Sequence, residues 1–316
     1  MTTVAPVVNA RRRWSATLAL GPVGIALATG LVLAEAVDAL VAHHALVPTL
    51  RSGWAQLVAP AFVAVVLVAL VCERIWPAER RPVLARGHLH DAGYFLVYIL
   101  AIAPFMTLLS VGSAVILGSH AHWLEAPWTA SWPRVAVVVA TLVAMDLCNW
   151  FAHVADHRIG AFWRVHALHH SQEELSVLSS FRAHPLMHTS GFLLATVPVL
   201  ILTGANPLAP ILITVYVCLG TLPHTNVRWS YGPLGWVLVS PAYHRLHHSA
   251  ERQDVNLGVV LTVWDHLAGI AQRPVRGDRP CATGLAGRPV PVEQPGARSG
   301  GPALMARQLL EPFSPS

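Results

Sequence analysis

The chain has 316 residues, of which 54% are hydrophobic and 12% charged, against about 25% charged in an ordinary soluble domain. Too few polar side chains remain to cover a soluble core, so the composition excludes an ordinary globular protein and indicates a membrane protein. Four cysteines without paired spacing exclude a disulfide scaffold and a thiolate zinc site. The formal net charge of +5 is typical of membrane topology rather than of nucleic-acid binding, and 18 histidines exceed the 16 acidic residues.

The first half of the chain contains four apolar segments of nearly membrane-spanning length, at residues 18–37, 54–72, 92–117 and 135–151. The first segment follows a run of arginines at 11–13, which predicts a cytoplasmic start. The alternative is a cleaved signal peptide. In both cases the chain is expected to emerge on the outer side of the membrane. The loop after the second segment is predicted to be cytoplasmic by the positive-inside rule. Its arginines are Arg74, Arg80, Arg81 and Arg86.

The apolar stretch 189–222 decides the predicted architecture, because it holds 34 residues without a charge and is broken at residues 204–207. A single span would place the histidines before and after it on opposite faces of the membrane. Two half-length helices of about 22 Å each would return to the same side. We therefore predict an all-α integral membrane protein, with transmembrane helices, a re-entrant helical hairpin and a cytosolic helical cap that carries the histidines.

Residues 273–300 are rich in proline, glycine and arginine, which favours a flexible tail. Residues 303–313 are predicted to form a short amphipathic helix on the membrane surface. The predicted divisions of the chain are N-terminal transmembrane helices (1–133), a catalytic domain (134–272) and this tail (273–316).

Histidines recur at helical spacing in three clusters between the predicted spans. Residues three and four apart share one face of a helix, so each cluster presents its imidazoles to one point. Eight imidazoles exceed the needs of one tetrahedral zinc and suit two metal ions with four or five nitrogen ligands each. No Glu-x-x-His pattern accompanies them, so a carboxylate-type di-iron bundle does not fit. The clusters are His153 with His157, then His166, His169 and His170, then His244, His247 and His248.

These segments resemble the fatty acid hydroxylase / sterol desaturase superfamily of membrane histidine-cluster di-iron oxygenases over about residues 134–272. DLCNWFAHVADHRIGAFWRVHALHHS (146–171) is similar to its first two histidine boxes, and FRAHPLMH (181–188) to its R-x-H-P element. PHTNVRWSYGPLGWVLVSPAYHRLHHS (223–249) resembles the stretch into the last box, and DVNLGVVLTVWDHLAG (254–269) the closing elements. The resemblance implies two non-haem iron ions that use O2 to hydroxylate or desaturate a lipid.

Four further polar residues lie near the histidine clusters in the sequence. His224 matches a family position and joins the eight clustered histidines as a predicted metal ligand. His184 and His188 are left open, because Pro185 is expected to start a helix between them. Asp146 lies seven residues before His153, on the same helical face inside an apolar run, and is predicted to orient a ligand imidazole by accepting its hydrogen bond.

Electrons must come from a partner, since the chain has no GxGxxG element, iron–sulfur pattern or haem-attachment motif. A reductase, ferredoxin or cytochrome is therefore expected, with a sterol-like, carotenoid or fatty acyl lipid as substrate and no nucleic-acid partner. The expected location is the plasma or inner membrane, with the histidines facing the cytoplasm. Two alternatives stay open: a zinc-dependent hydrolase of membrane lipids, and a haem-binding or metal-transporting membrane protein.

Overall fold

A computed structural model describes residues 16–48, 60–82, 84–120, 123, 131–203, 209–275, 280–286, 290–295 and 297–314. Within these ranges the chain is helical, with isolated bridges but no strand. The α-helices are α1 (Ala16–Ala42), α2 (Pro60–Ile75), α3 (His88–Val97), α4 (Ala103–His120), α5 (Arg134–Arg158), α6 (Gly160–His166), α7 (Pro185–Gly191), α8 (Val197–Thr203), α9 (Ala209–Thr221), α10 (Pro241–His247), α11 (Val263–Leu267) and α12 (Gly301–Leu310). Two π-helical turns, Tyr98–Ile102 and Phe192–Thr196, join α3 to α4 and α7 to α8. Short 3-10 segments are His169–Ser171, Val177–Phe181, Leu222–His224, Gly232–Trp236 and Glu311–Phe313.

In the part of the chain that the structure describes, three helical stretches are long and apolar enough to cross a bilayer, namely Gly21–Ala42, His88–His120 and Arg134–Arg158. Their outward side chains include Leu31 and Val135, which are 71% and 76% exposed, as lipid-facing residues of a spanning helix are. The chain is therefore an all-helical membrane protein. Helix α2 is also apolar but has 16 residues, and the beginning of its predicted span lies outside the described residues.

Small residues let α1 pack closely on two neighbours. A Cβ atom added at Gly112 of α4 would lie 2.4 Å from the Cβ of Ala36, and one added at Gly21 would lie 2.1 Å from the Cβ of Ala161 in α6. Such close approach between helices in a membrane is typical of small residues, because packing and not hydrophobicity drives their association. Helix α1 thereby joins the spanning α4 to α6, which leads into the histidine region.

The predicted hairpin corresponds to α7, its π turn and α8 on one side and α9 on the other. Helix α7 begins at Pro185, and the backbone N–H of Leu186 donates to Nδ1 of His184 at its start. The turn at 206–207 lies outside the described residues, so the re-entrant hairpin and the cytosolic cap remain predictions.

The topology can be tested with reporter fusions. We expect reporters placed after Arg81, Ser171 and Ser249 to lie in the cytoplasm and one after Ala126 to lie outside, because of the arginine bias and the returning hairpin. Alkaline phosphatase and green fluorescent protein fusions measure the two sides. Opposite locations for Ser171 and Ser249 would contradict the hairpin.

The C-terminal segment is packed onto the helices, contrary to the flexible tail that its composition predicts. Arg182 is fully buried and pairs with Asp91 and with Glu293, with nitrogen–oxygen distances of 2.6 Å in both cases. In α12 the buried Gln308 accepts hydrogen bonds from the hydroxyl of Tyr94 at 2.9 Å, and its Oε1 lies 2.8 Å from Nε2 of His90. Proline and glycine content indicates loops, but it does not show that Glu293 and Gln308 pair with buried groups, or that Val290 packs in an apolar cluster with Tyr94.

Breaking the buried pair tests this packing. We expect Glu293→Ala to lower the free energy of unfolding by about 3–5 kcal/mol, because it leaves the buried Arg182 with one carboxylate instead of two. The exposed Glu251 is the matched control, and Glu251→Ala should change the free energy of unfolding by less than about 0.5 kcal/mol. Thermal unfolding of the two purified variants in detergent measures the difference, and equal midpoints would show that Glu293 does not anchor the segment.

Candidate metal centre

Nine buried or half-buried histidines converge in two groups, and they are the nine that the sequence predicts as ligands. Within each group, the ligand nitrogens all lie within 4.8 Å of one another. Neither group includes a carboxylate or a thiol among the described residues. The first group is His153, His157, His166, His170 and His247; the second is His169, His224, His244 and His248.

Five short stretches position these side chains. His153 and His157 lie one turn apart at the end of the spanning α5, and His166 ends α6. The remaining ligands follow in the 3-10 segments His169–Ser171 and Leu222–His224 and in α10 with the residue after it. Helix α10 starts at Pro241 and is capped by Ser240, whose hydroxyl accepts the backbone N–H of Tyr243 at 3.2 Å. Proline after a capping serine fixes where this helix begins, and therefore the face on which its histidines stand.

The spacing of the nitrogens fits metal ligation. In the second group the Nε2 atoms follow one another at 3.1 Å, from His169 to His224, on to His244 and then to His248. Metal–nitrogen bonds of about 2.0–2.1 Å place neighbouring ligand nitrogens about 2.9–3.4 Å apart in tetrahedral or octahedral sites. In the first group, Nε2 of His166 and His170 are also 3.1 Å apart, and the buried Nε2 of His247 has no hydrogen-bond partner. These donor sets fit a metal ion in each group.

Burial keeps the imidazoles in the neutral form that binds metals. Removal from water lowers the pKa of His224 to about 3, with a further contribution from the nearby His153. Burial, and then the neighbouring imidazoles, lowers the pKa of His244 and His248 well below the ordinary value. Neutral imidazole is the ligand form, so protons compete little with a metal ion at neutral pH.

Consecutive histidines contribute to different groups. His169 belongs to the second group and His170 to the first, and His247 and His248 divide in the same way. The rings of His170 and His248 stack with centroids 4.4 Å apart, which brings the two groups side by side. The doubled histidines of the sequence pattern thus place the two groups of imidazoles next to each other.

Backbone carbonyls orient two of these imidazoles, those of His153 and His247. Nδ1 of His153 lies 2.8 Å from the carbonyl of Leu257, and Nδ1 of His247 lies 3.0 Å from that of Val255. Carbonyl oxygens only accept, so in both histidines Nδ1 carries the proton and Nε2 is left for a metal. Nδ1 of His166 also lies 3.5 Å from the carboxylate of the buried Asp156.

Asp265 holds the loop that supplies those carbonyls, and sequence reasoning missed it. Its carboxylate accepts the backbone N–H groups of Leu257 and Gly258 at 3.1 and 2.8 Å. It also accepts the indole N–H of Trp150 at 2.8 Å and the hydroxyl of Tyr243 at 2.9 Å. The Trp-Asp pair at 264–265 was visible in the sequence, but nothing local indicated that it reaches across to α5 and α10.

Asp146 has partners other than the predicted one. Its buried carboxylate accepts hydrogen bonds from the indole of Trp264 at 2.8 Å and the hydroxyl of Tyr216 at 3.1 Å. The backbone N–H groups of Val260 and Leu261 complete the set at 3.0 and 3.1 Å. None of these donors is a histidine, so the predicted hydrogen bond to a ligand imidazole is not formed. Asp146 therefore anchors the loop that Asp265 also holds.

The two histidines left open by the sequence lie outside both groups. Nε2 of His184 is 3.0 Å from the carbonyl of Leu309 in α12, so this side chain joins α7 to the C-terminal segment. The ring of His188 packs beside Tyr98, with centroids 5.6 Å apart. Neither is placed to share a metal with the nine.

Comparison with known proteins gives the same assignment for this region. The fatty acid hydroxylase family model matches residues 138–270, which include all nine histidines and Asp265. This match lies inside the predicted catalytic domain 134–272, whose boundaries remain a prediction.

Curated relatives are lipid-modifying enzymes by name. An ornithine lipid hydroxylase of Rhizobium tropici is 33% identical over 162 residues, which are 51% of this chain and 48% of that protein. The alkylglycerol monooxygenase of Homo sapiens is 25% identical over 220 residues, 66% of this chain and 46% of that protein. That of Caenorhabditis elegans is 26% identical over 172 residues, 52% and 32% of the two chains.

The matches span about half or less of the length of these relatives. No solved structure matches the chain. The family match and the relatives agree on the segment that carries the histidines, and this segment is similar to the fatty acid hydroxylase family.

Proposed function

We propose that this protein is a membrane-bound lipid hydroxylase that holds two non-haem iron ions and uses O2. The observation that carries the proposal is the pair of adjoining, all-histidine groups at the end of a membrane-spanning helix. Neutral imidazole suits iron, copper or zinc rather than magnesium or calcium. The names of the relatives, a lipid hydroxylase and monooxygenases, favour hydroxylation over desaturation.

The balanced reaction converts R–H, O2, two electrons and two protons into R–OH and water. Iron in the two groups would supply the activation of O2 that an unactivated C–H bond requires. His153, His157, His166, His170 and His247 would hold one ion, and His169, His224, His244 and His248 the other.

The chain itself contributes burial and orientation. His157, His170, His247 and His248 are at most 1% exposed, so water has little access to the ligand nitrogens. Leu257 and Val255 fix two imidazoles through their carbonyls. Because α5 carries its ligands at the end of an apolar span, an acyl or alkyl chain reaches the centre from the bilayer without crossing water.

Two other functions fit the geometry less well. A catalytic zinc takes three protein ligands and a water, whereas these groups offer five and four imidazoles. Haem takes one or two axial side chains, so nine converging histidines exceed its needs.

The proposal includes a location and a partner. We place the centre on the cytoplasmic side of the plasma or inner membrane, where the arginine-rich loop after α2 is predicted to lie. A reductase, ferredoxin or cytochrome would deliver the two electrons, because the sequence has no electron-carrier motif of its own.

Metal analysis and isotope labelling test the proposal together. Protein purified without oxygen should contain two iron ions per chain and little zinc. Lipids from cells that express the gene under ¹⁸O2 should gain one labelled hydroxyl, and cells with His43→Ala, an exposed histidine outside both groups, should gain it equally. Stoichiometric zinc with unchanged lipids would contradict the proposal.

A further inference from the structure

A cavity lies at the start of α10, where Ser240 and Tyr243 line it. Its volume is about 320 Å³, and it is lined by Ser230, Trp236, Ser240, Tyr243 and Arg273 among others. The lining includes no carboxylate among the described residues, and Arg273 is its one charged side chain. The cavity therefore has a net positive lining.

The Arg273 guanidinium is held in place but not neutralised. Its Cζ atom lies 3.8 Å from the centroid of the Trp236 ring, and its Nη2 donates to the carbonyl of Gly232 at 3.5 Å. Nη1 is buried without a hydrogen-bond partner, and no described carboxylate pairs with the group. A buried N–H of a charged guanidinium without an acceptor is costly, and the oxygens of a carboxylate or a phosphate suit it best.

The cavity lies beside an exposed apolar patch. We define this patch as Leu234, Trp236, Val237 and Leu267, which are 52–78% exposed. Its two stretches are joined where the backbone N–H of Thr262 donates to the carbonyl of Val237 at 2.9 Å. Tryptophan beside exposed aliphatic side chains is typical of the interface between hydrocarbon and headgroups.

We propose that this cavity binds the anionic headgroup of a membrane phospholipid. The headgroup phosphate would accept from Nη1 of Arg273, and the acyl chains would lie on the apolar patch. Charge-assisted bonds from arginine to phosphate are strong and directional, and the cytoplasmic leaflet supplies anionic lipids. The site does not depend on the hydroxylase activity. Because Ser240 and Tyr243 line the cavity and also begin α10, the lipid would brace the helix that carries His244 and His247.

Native mass spectrometry of the full-length protein in detergent tests the proposal. The probes are dioleoyl phosphatidylglycerol, the zwitterionic dioleoyl phosphatidylcholine and inorganic phosphate. We expect phosphatidylglycerol to bind at least about tenfold more tightly than phosphatidylcholine, and Arg273→Gln to remove this preference. The matched control is Arg252→Gln, because Arg252 is an exposed arginine that does not line the cavity.

The outcomes separate the possible sources of the anion. Leu267→Ser, at a 78% exposed position of the apolar patch, should weaken phosphatidylglycerol binding and leave phosphate binding unchanged. Equal affinity for the two lipids, or equal losses in the two arginine variants, would overturn the proposal. Phosphate binding as tight as phosphatidylglycerol binding, without an effect of Leu267→Ser, would show a soluble-anion site and overturn the lipid assignment. If Arg273→Gln does not fold, the lipid preference of the wild type and the Leu267→Ser result still decide.

Discussion

His247→Ala and His169→Ala should each abolish hydroxylation and lower the iron content. His247→Ala leaves four imidazoles in the first group, and His169→Ala leaves three in the second. Loss of residues that merely orient ligands costs about 10–100-fold in metal affinity or activity, so loss of a ligand itself should cost about 100-fold or more. Iron per chain after anaerobic purification, and labelled lipid per cell, measure the two effects.

His43→Ala serves as control for both variants, because His43 is exposed and belongs to neither group. It should retain the iron and the activity of the wild type. Full iron content and full activity in both ligand variants would refute the two-metal assignment.

Asp265→Asn should lower iron affinity more than Asp146→Asn does. Each carboxylate accepts four described hydrogen bonds, and an amide nitrogen in place of one oxygen would face donors instead of accepting from them. Each buried donor left without a partner costs about 1–3 kcal/mol, so both variants should unfold at lower temperature. Only Asp265 holds the N–H of Leu257, the residue whose carbonyl orients His153.

The measurements are thermal unfolding and iron titration of the two apoproteins. We expect similar losses of unfolding midpoint and a loss of about 10–100-fold in iron affinity in Asp265→Asn alone. If both variants bind iron as the wild type does, the loop does not position the ligands. Equal losses of iron affinity in both would assign the effect to the loop as a whole.

The histidine clusters within single segments were predictable because their geometry is local. Spacings of three and four residues determine which imidazoles share a helical face. Features that depend on contacts between segments distant in sequence were not predictable. The aspartate seven residues before His153 has the helical phase of a ligand partner, yet its carboxylate meets Trp264, Tyr216 and a loop 114 residues away in sequence.

In the C-terminal region, too, the sequence did not indicate the contacts with distant segments. Its composition predicts a flexible segment. Composition does not indicate that the carboxylate of Glu293 pairs with the buried Arg182, 111 residues earlier in the chain. Two polar residues, Glu293 and Gln308, fix this segment together with apolar side chains such as Val290, which packs in a buried cluster with Tyr94 and Leu168. A prediction from the sequence would have needed the partner positions in advance.

The position of Arg182 in the sequence also affects when the protein can complete its fold during synthesis. Arg182 precedes Glu293 by 111 residues, so before Glu293 is synthesised Asp91 is the one of its two carboxylate partners that is available. Contacts between such distant segments form late, because the intervening chain must first be released. All nine histidines precede Glu293 in the chain. We therefore expect a nascent protein stalled before residue 293 to lack this part of its packing, and, if the two histidine groups bind metal, to hold it less firmly than the finished chain does.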